Sequence, residues 1–213
     1  MAYALGLGRN PASGLFVGQP TSSRPKEYRV NPITLSLIAT AAVSIAVPAC
    51  AAGEDQAFDA FRALCADTAA DYPAVVAKAD AGGWKPAEIL AETMKGVSVT
   101  DKTSRTQAVG DSILTLFAWR GVTPTSVKVS DCTVRVERAG FADLQGRAQT
   151  WVGMAPQQAT PQKAIFHFTD AGTTHRAIAS AEYEAAAAGA GLEIMTVTAD
   201  GPGATLDLLK IKR

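Results

Sequence analysis

The sequence predicts an α+β domain: N-terminal helices, then a largely antiparallel sheet of about five strands with two further helices. Three observations carry that expectation. Apolar residues recur at three- and four-residue spacing through residues 54–94, the pattern of helix faces packed on a core. From Val97 onward they alternate or run continuously over short segments, as in strands. The chain ends in two β-like segments, 192–198 and 204–211, joined by Asp200-Gly201-Pro202-Gly203, which reads as a hairpin and favours antiparallel pairing.

Ahead of this domain lies an uncharged stretch. Between Val30 and Gly53 there is no charged side chain. Arg24, Lys26 and Arg29 precede it, its apolar centre spans residues 35–47, Pro48 breaks it, and Ala49-Cys50-Ala51 supplies a small-x-small cleavage pattern. That combination is an export signal cut after Ala51, too short and too rich in Ala, Ser and Thr for a membrane span. A retained anchor, or a lipid-attachment box at residues 47–50, are the competing readings. Residues 1–30 carry no apolar period and read as disordered, and a start at Val30 would give the leader an ordinary length. The expected organisation is therefore 1–51 as disordered N-terminus and signal peptide, and 52–213 as one domain. A domain of that length can bury about 70% of its unfolded surface.

Removing the leader takes away Arg9, Arg24, Lys26 and Arg29 but only one acid, Glu27, so the remaining chain is mildly acidic. It has no Lys/Arg cluster interleaved with aromatics, which argues against nucleic-acid binding. Cys50 leaves with the leader. Cys65 and Cys132 remain, an even pair that reads as a disulfide in an oxidising compartment. Closing a loop of about 67 residues is worth roughly 4 kcal/mol in the chain-entropy account.

In order, residues 54–72 read as a helix whose stripe is Phe58, Phe61, Leu64, Cys65, Thr68 and Tyr72, so Cys65 points inward. Pro73 suits the first turn of a second helix to Ala81, ended by Gly82-Gly83, with Trp84 packing back. Pro86 opens a third short helix carrying Ile89, Leu90 and Met94. Residues 112–120 form the clearest strand, apolar on both faces and so central. Apolar parity changes within 126–137, which predicts a bulge at Ser130-Asp131. Phe141, Leu144, Ala148, Trp151 and Val152 make a helical stripe stopped by Gly153, residues 154–162 a loop, 164–169 a strand, and 178–188 a helix by propensity.

The spacing Phe58-x6-Cys65, the segment Ala79 through Gly83-Trp84, Cys132 in a strand and the terminal hairpin resemble small exported proteins of Gram-negative bacteria with no assigned activity. That resemblance covers most of residues 58–211 and implies no catalytic residues. Gly110-Asp111-Ser112-Ile113-Leu114 resembles the nucleophile block of the GDSL esterases, in which the Ser follows a strand and opens a helix. Here Ser112 precedes a strand, no Gly-x-Asn-Asp block occurs, and Asp170 and His175 lack the family's Asp-x-x-His spacing. His167, Asp170 and His175 could gather to hold a proton or a metal if their strands pair. No Walker loop, His-Glu-x-x-His or Gly-x-Ser-x-Gly occurs, and Gly189-Ala190-Gly191 is not a dinucleotide loop, so no cofactor is implied.

The expected function is that of an exported, periplasmic or secreted binding or accessory domain without catalysis, with an envelope protein as a possible partner. The alternative is a small periplasmic hydrolase using Ser112 or the His167/His175 pair.

Overall fold

Period-two alternation over long antiparallel strands dominates the structure, a computed structural model that describes residues 50–88, 95–171 and 174–213. The chain opens with helix α1 (Cys50–Phe61), continues through a π-helical segment Arg62–Ala66, and turns into α2 (Tyr72–Ala81). Strands β1 (Lys85–Pro86), β2 (Ser98–Val109), β3 (Ser112–Val122) and β4 (Lys128–Val136) follow, then α3 (Phe141–Val152). The C-terminal part holds β5 (Gln158–Thr160), β6 (Lys163–Asp170), β7 (His175–Ala177), a 3-10 turn leading into α4 (Tyr183–Ala188), β8 (Leu192–Asp200) and β9 (Gly203–Lys212).

Among the described residues all nine strands join one sheet in the order β1-β2-β3-β4-β9-β8-β6-β5, with β7 also on β6. Every pairing is antiparallel. The helices are divided, two before the strands and two among them. The sheet is thus larger than the five strands the sequence suggests. β2 escapes notice because Ser98–Val109 carries mostly polar side chains, and β1, β5 and β7 are two or three residues long.

One face of the sheet carries the main core. Leu114, Leu116 and Ala118 of β3, Cys132, Val134 and Val136 of β4, and Ala204, Leu206 and Leu208 of β9 all point to it. They pack with Phe58, Phe61, Leu64, Val75, Leu144 and Val152 from the helical side. Rings link the elements there: Trp151 stands edge-on to both Phe61 and Phe168, at 6.1 and 5.9 Å. On the other face Phe117, Trp119 and Val129 form a small second core, and α4 covers Leu192, Ile194 and Ile211.

That second core corrects the bulge expected at Ser130-Asp131. β4 runs without interruption from Lys128 to Val136 against both neighbours. The odd residue Val129 is apolar because it meets Phe117 and Trp119, not because the register slips. The irregularity falls in β2, between Val99 and Asp101. Two further expectations change. The helix expected over 178–188 is α-helical only from Tyr183, and the helix expected over 54–72 gives way to π geometry at Arg62. The third helix expected from Pro86 begins on a residue that pairs with β2, and residues 89–94 lie outside the described residues.

Gly203 starts β9 at a close backbone approach. A Cβ there would collide with the Val136 carbonyl oxygen and stand 2.8 Å from that of Glu137, which only glycine avoids. Among the described residues no helix is long and apolar enough to cross a membrane.

Cys65 and Cys132 stand at disulfide distance, with Cα atoms 5.3 Å apart and both residues fully buried. The link joins the π-helical segment to the middle of β4. Replacing both residues with alanine is expected to lower unfolding free energy by about 2–5 kcal/mol. In urea unfolding, a reductant should lower the wild-type midpoint and leave that of the double variant unmoved.

Candidate functional site

Ser112, His167, Asp170 and His175 do not come together as a set, although Asp170 and His175 are neighbours across β6 and β7. Ser112 opens β3 after the two-residue turn Gly110-Asp111, opposite Val109, with Gly110 in the left-handed region at φ 56°. It shares the helical face with Leu114, and its buried Oγ has no hydrogen-bond partner among the described residues. A serine nucleophile needs a base within reach, and among the described residues none hydrogen-bonds Ser112. His167 lies on the opposite face, its ring 4.9 Å from that of Tyr183, and burial holds its imidazole below the usual pKa. His175 pairs with Asp170, and its ring packs on the helical side against Trp151 (4.5 Å) and Phe168 (4.8 Å). The two imidazoles are thus separated by the sheet. Among the described residues no three His, Cys, Asp or Glu side chains form a metal-holding group.

A different set of residues converges. On the helical face, the even positions that are apolar in the middle of β3, β4 and β9 turn polar and cationic at one end. Arg120, Ser130 and Lys210 form one cross-strand row, and Val122, Lys128 and Lys212 form the next. Here the helices no longer cover the sheet. The rows floor a recess of about 530 Å³, walled by Ala69, Asp71 and Tyr72.

Backbone bonds build its roof. Asp67 N–H donates to Arg62 O and Ala70 N–H to Cys65 O, both at 2.8 Å and both spanning five residues, the π-helical pattern. Ala69 and Ala70 then take φ 50° and 52°, the left-handed region, at a cost of about 1–3 kcal/mol each. Asp71 reverses the chain, and its carboxylate accepts from Ala74 N–H at 3.3 Å to cap α2.

The cations of the recess differ in their partners. Arg120 donates through Nε to Asp101 Oδ2 at 2.6 Å, which holds the Asp101 carboxyl below its ordinary pKa. The same guanidinium lies 5.6 Å from the ring centroid of Tyr72. Lys210 Nζ donates to the buried Glu193 at 2.8 Å. Lys128 and Lys212 face each other across the strands, and neither forms an ion pair among the described residues. Like charges directly opposite destabilise a sheet. The sequence does hold a signal for this site, the in-phase change from apolar to basic at the ends of three strands, but it is readable only once the strands are paired.

The far face carries a second polar group. Asp131 accepts from Trp119 Nε1 at 2.9 Å, and the Thr133 hydroxyl reaches both Asp131 (3.1 Å) and Asp207 (3.3 Å). Burial, and next the charge of Asp131, push Asp207 well above the ordinary carboxylate range, and Asp207 hydrogen-bonds Asp131. The folded state therefore holds a proton that the unfolded chain releases above about pH 4. Stability from this group is complete below that pH and is lost as pH rises through the raised pKa. Asp207→Asn is expected to stabilise the protein at neutral pH and to flatten the decline. Urea midpoints at about pH 5 and about pH 8 measure it. An undiminished decline in the variant would show that the proton is held elsewhere.

No known protein family, curated protein or solved structure matches the chain.

Proposed function

We propose that this chain is an exported binding domain of the cell envelope, periplasmic or secreted, whose ligand sits in the recess beneath the 67–72 turn. One observation carries the reading. The Cys65–Cys132 pair fastens the roof of the recess to its floor, since Cys65 leads into the 67–72 turn and Cys132 lies two residues from Ser130 on β4. A buried link of this kind persists in an oxidising compartment. The uncharged segment after Arg29, with its Ala49-Cys50-Ala51 cleavage pattern, supplies the route there. The resemblance to small exported proteins of Gram-negative bacteria points the same way.

The hydrolase alternative has less to support it, because Ser112 Oγ has no hydrogen-bond partner among the described residues and His167 lies across the sheet. Esterase and phosphatase screens of wild type against Ser112→Ala and His167→Ala separate the two readings. Activity lost on substitution would favour the hydrolase.

Mass spectrometry of the protein from an envelope fraction is expected to place the mature N-terminus at Ala52, with Cys65 and Cys132 oxidised. Recovery of the chain in the cytosol with residues before Val30 still attached and both thiols free would overturn the export reading.

A further inference from the structure

We propose that the recess is an oxyanion site for a phosphate monoester group, held by Lys128 and Lys212 with Ser130 and Arg120 beside them. The proposal rests on the binding-domain reading and names the ligand class of that site.

Lys128 and Lys212 are direct neighbours across β4 and β9, where opposed Cβ atoms lie about 4.5–5.5 Å apart. The strand cations Arg105, Arg120, Arg135 and Lys210 each have a carboxylate partner. Lys128 and Lys212, like Lys85, Lys102 and Lys163, form no ion pair among the described residues, and of these five Lys128 and Lys212 line the recess. They also stand at a concave site, where the field of one charge reinforces that of the next. Two unneutralised positive charges call for about two negative ones. A phosphate monoester carries about −1.5 to −2 at neutral pH, whereas a single carboxylate carries only one charge.

Hydrogen-bond donors agree with that choice. Asp101 engages Arg120 at Nε, and the terminal amino groups of Arg120 have no hydrogen-bond partner among the described residues. Ser130 sits between Arg120 and Lys210 in the same row, and its hydroxyl likewise has none. An ammonium pair, a hydroxyl and the free edge of a guanidinium match the acceptor oxygens of a phosphate. The volume of about 530 Å³ suits a small phosphorylated molecule or the phosphomonoester headgroup of a lipid. Asp71 on the wall caps α2 and supplies one opposing carboxylate, against the cations Arg120, Lys128, Lys210 and Lys212 that line the recess.

Calorimetric titration and thermal unfolding of the oxidised full chain test this, with inorganic phosphate, glycerol 3-phosphate and acetate at matched ionic strength. Saturable binding of the phosphates, with an unfolding midpoint that rises with their concentration, is expected, and acetate should do neither. Lys128→Ala/Lys212→Ala should weaken phosphate binding by about tenfold or more. Lys212→Glu places opposite charges across the strands. It should raise the midpoint in phosphate-free buffer while abolishing the phosphate-dependent rise, a combination that misfolding cannot produce.

Sedimentation with vesicles containing phosphatidic acid, whose headgroup is a phosphate monoester, distinguishes the source. Lysine-dependent binding to vesicles alone assigns the phosphate to a lipid headgroup, and binding of glycerol 3-phosphate assigns it to a free small molecule. Absence of both, or phosphate binding undiminished in the lysine variants, overturns the proposal. If that happens while the N-terminus maps to Ala52, the export reading stands and only the ligand class fails. Phosphate binding by a chain that keeps its leader separates them in the opposite direction.

Discussion

The Cys65–Cys132 link is the constraint on which the recess depends. An ordinary α-helix through residues 62–66 would advance Cys65 and the residues after it by a regular 100° per residue. The π-helical bonds add a residue to that turn, and Leu64 and Cys65 are both buried there. Cys65 thereby meets the centre of the sheet, and the chain leaves it directly over the ends of β3, β4 and β9. The π segment, the left-handed alanines and the Asp71 cap follow one another without a gap, so the covalent tie holds the whole turn in place.

The sheet supplies the other half of the arrangement. Its two faces are both partly apolar, which is why β3 reads as buried throughout and why β4 carries Val129 out of phase with Cys132 and Val134. Where helices cover a face, the residues on it are apolar. Where cover ends, the same parity presents Arg120, Ser130, Lys128, Lys210 and Lys212. Strand pairing converts positions far apart in sequence into a compact basic floor, in a chain whose formal charge is +0 overall.

What the sequence discloses depends on whether a signal is local. The stripe Phe141, Leu144, Ala148, Trp151 and Val152, the stop at Gly153 and the terminal hairpin are all set within short continuous segments, and they appear in the structure as α3, its left-handed cap and β8–β9. The cysteine pair was legible through parity and count. β2 was not, because its polar residues 98–109 are held by partnership with β3 and not by their own alternation. The histidines misled for the opposite reason: they are close in sequence, yet β6 and β7 pair so that His175 faces Trp151 while His167 faces Tyr183. The basic recess needed the register of three strands at once, which no window along the chain contains.

Two local conflicts border the recess. Ala69 and Ala70 occupy a backbone region that glycine or asparagine would fill with less strain. Lys128 and Lys212 repel across a pair of strands where most other residues would be tolerated. The strain at the two alanines, about 2–6 kcal/mol together, is comparable with the stability that a buried cross-link contributes. The coincidence of the two conflicts at one concave site is not explained by core packing alone, since Ala69, Lys128 and Lys212 line the recess and of the four only Ala70 belongs to the core. Local disagreement with an otherwise consistent fold is expected where a site is preorganised for something outside the chain. Here the disagreement has a sign, excess positive charge, and that sign indicates the charge of what fills the recess.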